Sequence, residues 1–472
     1  GRKMSFLDIK KMSKERFNAF VDWTRMPNTE LLGYEFEWYC SPREFLLGAL
    51  LLDQIDEDYS GIVLARDLSG RYRCIDLFTS VSEMNSARAK LKKLMRKHTK
   101  LNVKVFPQGD ETYKAMDLFT PIVTPDKLHH HFSLFGKYAN WSPATGIIKE
   151  MMNHFEDVDG NFIEQFQTTG FDARLWELYL FAYLREEHFW LDRQFNAPDY
   201  VARKYGNTIC IEAVTVNPTG NDINQSSEML SEPKSKEELL EKIENYMPIK
   251  FGSSLYSKLK KKTRYWDLEH VKGNPLIFAI ADFHEPNSMI WSHSALWQYL
   301  YGIRYEHVKS EDGCYSLATK KIISHQFEKK EIPSGFFFLD ESENISAVLS
   351  SNSGTISKFN RMGKLAGFGR SDLRLFRSGY CHDHDPEALY PAAFSFEVKE
   401  GDITETWAEG LNMYHNPNAK YPVDPDLFPS IAHHFLENGE VKSIVPDFHP
   451  YTSITINVLT QNNKKQKIRV DE

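Results

Sequence analysis

Cysteine is scarce in this chain: five residues in 472, at Cys40, Cys74, Cys210, Cys314 and Cys381. Odd in number and widely scattered, they supply neither a disulfide framework nor a C-x-x-C zinc pair. Reduced thiols in the cytoplasm are the expected state. Long apolar runs are missing as well. Those present, such as FLLGALLL at 45–52, fall well short of the ~20 residues that cross a bilayer, so a membrane is not expected as a partner. No basic start leads into an apolar stretch and cleavage site, which points away from secretion. Nor is there a large excess of either charge: 57 Lys and Arg stand against 65 Asp and Glu, a formal net charge of −8. That balance excludes a surface uniformly coated for nucleic acid and leaves room for a local basic groove. H-E-x-x-H and G-x-x-x-x-G-K-[ST] are both absent, which removes the strongest zinc-protease and nucleotide-binding signatures.

What is present reads as a soluble α/β protein of two or three domains. Residues 1–130 form the expected N-terminal α/β unit, a candidate for sensing, targeting or assembly. KMSKERFNAFVDWTR and SPREFLLGALLLDQI are expected as helices, the second with Ser41 and Pro42 at its start. GIVLARDLSGRYRCIDLFTSV reads as two strands joined at Leu68-Ser69-Gly70, followed by a basic amphipathic helix, SARAKLKKLMRKH, and a short strand, VKVFPQG. The middle region, 140–365, alternates helices and strands, which favours a sheet with helices packed on it. Helices are expected near 144–156, 172–188 and 252–264 and around SALWQYLYG. Strands are expected at 194–203, 208–216, PLIFAIADF, SGFFFLD and ISAVLSSNSGTISKFN. A polar stretch at 217–239 looks like an inserted lid. Residues 366–472 read as a C-terminal extension packed on the middle domain.

Three acids in the middle region stand out. Glu177 interrupts an apolar helical run, LWELYLFAYL, and a buried Glu needs a partner; Arg174 and Arg185 are the ordinary candidates. Asp199 follows Pro198 at the start of a strand, and Glu212 sits inside a strongly apolar one. Lys204-Tyr205-Gly206-Asn207 is a hairpin turn signal, and a turn centred between Tyr205 and Gly206 sets Asp199 opposite Glu212. Carboxylates so opposed have Cβ atoms about 4.5–5.5 Å apart. They repel unless a cation lies between them or one keeps a proton. A hard divalent ion suits such a pair.

With these residues in this order, the segment resembles the PD-(D/E)XK nuclease superfamily: Glu177 on the helix before the sheet, Pro198-Asp199 on one strand, Glu212-Ala213-Val214 on the next. The resemblance implies a restriction-endonuclease-like mixed sheet flanked by helices. It also implies Mg²⁺ or Mn²⁺ held by Asp199, Glu212 and Glu177, and hydrolysis of phosphodiester bonds in nucleic acid, with DNA the expected substrate. Such endonucleases are common among restriction and phage-defence enzymes, and a homodimer or a partner protein bound through the N-terminal domain fits that setting. The superfamily's lysine is expected two residues beyond Glu212, where this chain has Val214. A lysine moved to the basic run 250–264 would restore it, and Lys258 is the first candidate. Lys261 and Lys262, near one helical face with it, and Arg361 and Lys364 of the second basic run, 358–377, are candidates for phosphate contact. The alternative is a degenerate nuclease fold that binds nucleic acid or scaffolds without cutting.

The histidines His129-His130-His131, His382, His384, His433, His434 and His449 lack zinc-finger or protease spacing and read as structural. A more distant reading places a different metal-dependent hydrolase on the C-terminal ones.

Overall fold

The computed structural model describes residues 8–460 except 32, 113, 217–234, 283–288, 352 and 402–403, with 282, 289–294 and 469–471 described as backbone only. The expected lid falls mostly on 217–234 and lies outside the described residues.

The N-terminal unit is an antiparallel sheet of β1 (Lys10–Lys11), β2 (Tyr34–Cys40), β3 (Leu46–Leu52), β4 (Tyr59–Arg66) and β5 (Tyr72–Val81), paired in chain order. Helix α1 (Lys14–Val21) starts at Ser13, whose hydroxyl accepts the Arg16 amide. It packs Phe17, Phe20 and Val21 on Leu47, Ala49 and Leu64. Helix α2 (Met84–Lys100) covers the other face with Ala87, Leu91 and Met95 against Leu46, Leu50, Val63 and Ala65. This two-sided cover corrects the helix expected for residues 41–55. A strand buried on both faces is apolar at every position, so its run carries no period of two and is easily read as helix. Gly48 belongs to the same packing, since a Cβ there would meet the Met95 sulfur at 2.6 Å. VKVFPQG is no strand either; it is irregular and tied by the Phe106 amide to the Arg66 carbonyl.

Helices α3 (His130–Lys137), α4 (Ser142–Met151), α5 (Phe162–Gln167) and α6 (Phe171–Glu186) follow. Next come β6 (Trp190–Asp192), β7 (Tyr200–Lys204), β8 (Asn207–Val216), α7 (Lys236–Glu241), α8 (Met247–Leu259), β9 (Leu276–Asp282) and α9 (Met289–Tyr301). Two hairpins, β10 (Ile303–Lys309) with β11 (Tyr315–Lys321) and β12 (Ser324–Phe327) with β13 (Lys330–Pro333), lead to β14 (Ala347–Ser351) and α10 (Ile356–Leu365). SGFFFLD forms a single 3₁₀ turn at Phe336–Phe338 rather than a strand, and ISKFN opens α10. The C-terminal third adds β15 (Leu373–Cys381), β16 (Ala392–Val398), β17 (Asn412–His415), β18 (Ala432–Glu437), β19 (Glu440–Ile444), β20 (Pro450–Leu459) and β21 (Arg469–Asp471).

The central sheet is mixed and eight-stranded, in the order β19-β18-β17-β14-β9-β8-β7-β6. Strands β8, β9 and β14 run parallel, while β6-β7-β8 is an antiparallel meander. One face of the sheet carries α4, α6 and α10; the other carries α8 and α9. Because β17–β19 extend this sheet, the region after 366 is more than an extension packed on the middle domain, and the expected boundary there is corrected. The N-terminal unit is docked on the same body: Arg66 pairs with Glu150 at 2.8 Å, Arg16 donates to the Ala366 carbonyl, and Trp23 stacks on Phe181.

The second basic run turns inward. Lys358, Arg361 and Arg377 surround Glu405 at 2.7, 2.8 and 3.2 Å, all four buried. Burial works to raise the Glu405 carboxyl, but Arg361, Lys358 and Arg377 hold it far below the usual range. Arg361 also donates to the Thr455 hydroxyl, and Lys364 donates to the Leu373 carbonyl. Both are expected to meet phosphate; Arg361 is buried inside the fold, and Lys364 is half-buried. Gly363 lets α10 cross α4 closely, where a Cβ would lie 2.2 Å from the Pro143 carbonyl oxygen.

Removing the anion from a buried cluster leaves its cations uncompensated. Glu405→Ala is therefore expected to cost about 3–5 kcal/mol in denaturant unfolding; a loss below about 1 kcal/mol would show that these cations are compensated by other groups.

Candidate active site

The β7–β8 hairpin turns at Tyr205 and Gly206, both at positive φ (49° and 78°), as a two-residue turn of the primed type requires. Tyr200 faces Ile211 across the ladder, so the expected register holds and Asp199 meets Glu212 at its mouth. The Asp199 amide donates to Glu212 Oε1 at 3.2 Å, and the Ala213 amide donates to Asp199 Oδ2 at 2.8 Å. The loop before β7 is pinned at three points. Arg193 donates to the Asp199 carbonyl, His270 bonds the Ala197 carbonyl while stacking on Phe195, and the Tyr200 hydroxyl donates to the Glu177 carbonyl.

Alternation along β8 decides which way Glu212 faces. Ile209 and Ile211 belong to the α6 side, and Cys210, Val214 and Val216 to the α8 side, so Glu212 lies toward α8. There its Oε2 accepts from Lys258 Nζ at 2.6 Å and from the Tyr265 hydroxyl at 2.6 Å. Lys258 is thus the basic residue that α8 brings to Glu212, 46 residues along the chain. Lys261 and Lys262 do not share its helix, because α8 ends at Leu259; both are exposed, and Lys261 lies over the Tyr265 ring. Val214 is buried among the apolar residues beneath α8, which accounts for an apolar side chain where the resemblance calls for lysine.

Glu177 takes a different position. Its helix packs on the opposite face of the sheet from α8, and its carboxylate pairs with Arg174 at 3.0 Å. It shares a small surface cleft with Asp199, Arg174, Arg193, Phe195 and Asp159. Glu177, Asp199 and Glu212 do not form a group whose ligand atoms all lie within 4.8 Å of one another. The structure therefore joins Asp199, Glu212 and Lys258 and leaves Glu177 on the far side of Asp199.

The acids divide one proton unequally. Burial, then the charges of Glu212 and Glu177, raise the Asp199 carboxyl well above its ordinary value. Burial also raises Glu177, with Arg174 offsetting only part of it. For Glu212 burial pushes upward too, but the Lys258 charge and the hydrogen bonds from Asp199, Lys258 and Tyr265 hold its carboxyl below the usual range. A protonated Asp199 hydrogen-bonded to an ionised Glu212 is the arrangement two close carboxylates adopt without a cation. The donor set fits a hard divalent ion, since two carboxyls meet in one place and exchange of the Asp199 proton for the ion would relieve their repulsion. Asp199 and Glu212 would hold it, with Glu177 reached across the cleft.

No family model, curated protein or solved structure matches the chain. Function rests on this geometry alone.

Tyr265, Arg174 and Arg193 are the site residues that sequence inspection passes over as functional. Only Arg174 had a local signal, three residues before Glu177; Tyr265 reaches Glu212 from 53 residues away through the turn after α8. At the C-terminal end, His415, His433, His434 and His449 are bonded to one another, to Asn412 and to Ser443 inside β17, β18 and their surroundings. All four are buried and hydrogen-bonded, and His415 is one that the sequence did not single out.

The raised Asp199 carboxyl has a stability signature. In the unfolded chain the group ionises near its ordinary value of 3.8, whereas the folded chain keeps the proton to higher pH. Folding therefore loses stability from this group as pH rises above that value toward the folded pKa. Asn in place of Asp mimics the protonated form. Without divalent ions, Asp199→Asn should melt higher than the native chain at pH 8, with the gap closing toward pH 4. Equal melting curves at both pH values would contradict the shared proton.

Proposed function

We propose that the chain is a metal-dependent nuclease that hydrolyses phosphodiester bonds of DNA at a centre formed by Asp199, Glu212 and Lys258. The observation that carries this reading is the meeting of the Lys258 ammonium with a carboxylate already coupled to Asp199. Two coupled acids and a lysine on one of them match the chemistry of phosphate ester cleavage, and Asp199 carries the group to the edge of the cleft. A bound Mg²⁺ or Mn²⁺ would supply charge neutralisation and an acidified water. The chain's own groups do the rest. Asp199 and Glu212 offer oxygen donors on a rigid hairpin, and Tyr265 orients Glu212. Lys258 is half-exposed, with 34% of its side chain open to solvent, and its ammonium is available to a phosphate oxygen when it leaves Glu212. Glu177 and Arg174 border the cleft and position what enters it; Lys261 and Lys262 extend positive charge beyond Lys258 for backbone contact. The mixed sheet with its β6-β7-β8 meander and parallel β9 supports a restriction-endonuclease-like core.

Two observations favour a second reading, a binding or scaffold protein of this fold that does not cut. Val214 stands where the resemblance expects lysine, and Arg174 already neutralises Glu177. Cleavage assays separate the two. With Mg²⁺ or Mn²⁺ the native chain is expected to cut DNA, Asp199→Asn and Glu212→Gln to fall to background, and Lys258→Ala to lose about 10²–10³-fold, all with native circular dichroism. Salt-sensitive DNA binding with no cleavage under either ion would support the second reading and end the first.

A further inference from the structure

Away from the cleft, three potential metal ligands meet where the N-termini of α3 and α6 come together. His129 precedes α3, His131 lies in its first turn, and Asp172 is the second residue of α6. One ligand atom from each lies within 4.8 Å of the other two. Phe171 forms the wall of the site: the His129 ring stacks on it with centroids 4.9 Å apart, and His131 meets it edge-on. None of the three residues lines the cleft at Asp199.

The polar groups here are left open. Among the described residues Asp172, half-buried, has no hydrogen-bond or ion-pair partner. Among the described residues the His131 ring makes no hydrogen bond; it packs against the rings of His129, His130 and Phe171. His129 uses one nitrogen, Nδ1, to accept the His131 amide at 3.1 Å. An imidazole binds a cation through a ring-nitrogen lone pair of its neutral form. A half-buried, unpartnered carboxyl beside two imidazoles is suited to a cation.

We propose that His129, His131 and Asp172 form a second metal centre, a seat for one divalent ion of the zinc class that clips the start of α3 to the start of α6. Two imidazoles and one carboxylate favour zinc over magnesium, because nitrogen donors suit borderline ions. Zinc bonds of about 2.0–2.1 Å place tetrahedral ligand atoms roughly 3.3 Å apart, so the site closes by side-chain rotation on loading. A fourth position is left for water. Binding changes the cap of α3. At Nδ1 of His129 the ion replaces the amide of His131; at Nε2 it puts the proton on Nδ1, which can then no longer accept that amide. The clip is mechanical in effect. It fixes the first turn of the helix that carries Glu177, and it does not depend on the nuclease reading.

Zinc titrated into the metal-stripped full chain tests it. One equivalent is expected to survive desalting and to raise the melting temperature, and cobalt in its place to give the intense visible band of a four-coordinate nitrogen–oxygen site. His131→Gln and Asp172→Asn should each weaken zinc binding by at least about tenfold and remove the thermal shift. The double variant Asp199→Asn/Glu212→Gln should keep both, which separates this centre from the proposed cleavage site. No retained zinc in the native chain overturns the proposal. So does undiminished binding in His131→Gln and Asp172→Asn, or loss of binding in the double variant. If either single variant fails to fold, the cobalt spectrum of the native chain decides, an oxygen-only octahedral spectrum ruling the centre out.

Discussion

A carboxylate set into the apolar face of a central strand must find compensation within reach, and the way Glu212 does so organises everything around it. Its neighbours on that face of β8 are Cys210 and Val214, both buried, so water cannot stabilise its charge. The Asp199 amide, the Lys258 ammonium and the Tyr265 hydroxyl do so instead. Each comes from a different element: the loop entering β7, the last turn of α8 and the turn beyond it. The hairpin register, the length of α8 and the packing of Val214 are thereby tied to one charge. Losing the charge would leave an ammonium and a hydroxyl facing an apolar strand.

The same constraint explains the unequal protonation of the acids. With Lys258 beside Glu212 and no cation beside Asp199, the proton stays with Asp199. Arg174 pairs with Glu177 on the opposite face of the sheet but offsets only part of the rise that burial imposes. On the proposed reading a divalent ion would take the place of the Asp199 proton. Preorganised acids on a rigid hairpin, with a lysine on a separate helix, supply the fixed electrostatic environment that phosphoryl chemistry exploits.

Much of this was legible in the sequence because it is local. The turn at Tyr205-Gly206 fixes the register, the register fixes which residues oppose, and period-two alternation fixes the face of Glu212. Helix α2 announced itself through its basic amphipathic pattern. What escaped depends on distance or on two-sided burial. Strand β3 looked helical because α1 and α2 cover both its faces. Arg361 looked like a surface cation because its anion, Glu405, lies 44 residues away. Tyr265 had no local sign at all. His129 and His131 read as structural since their third companion, Asp172, belongs to another helix, and no spacing rule connects residues that only the packing of α3 on α6 brings together.

Asp199 and Glu212 are proposed together to seat a hard cation. Calorimetric titration of Mg²⁺ into the full chain tests this without reference to substrate. Saturable binding by the native chain is expected, with loss of that binding in Asp199→Asn and in Glu212→Gln, and its retention in Lys258→Ala. Equal Mg²⁺ affinity in the native chain and Asp199→Asn, or no binding to the native chain, would contradict it.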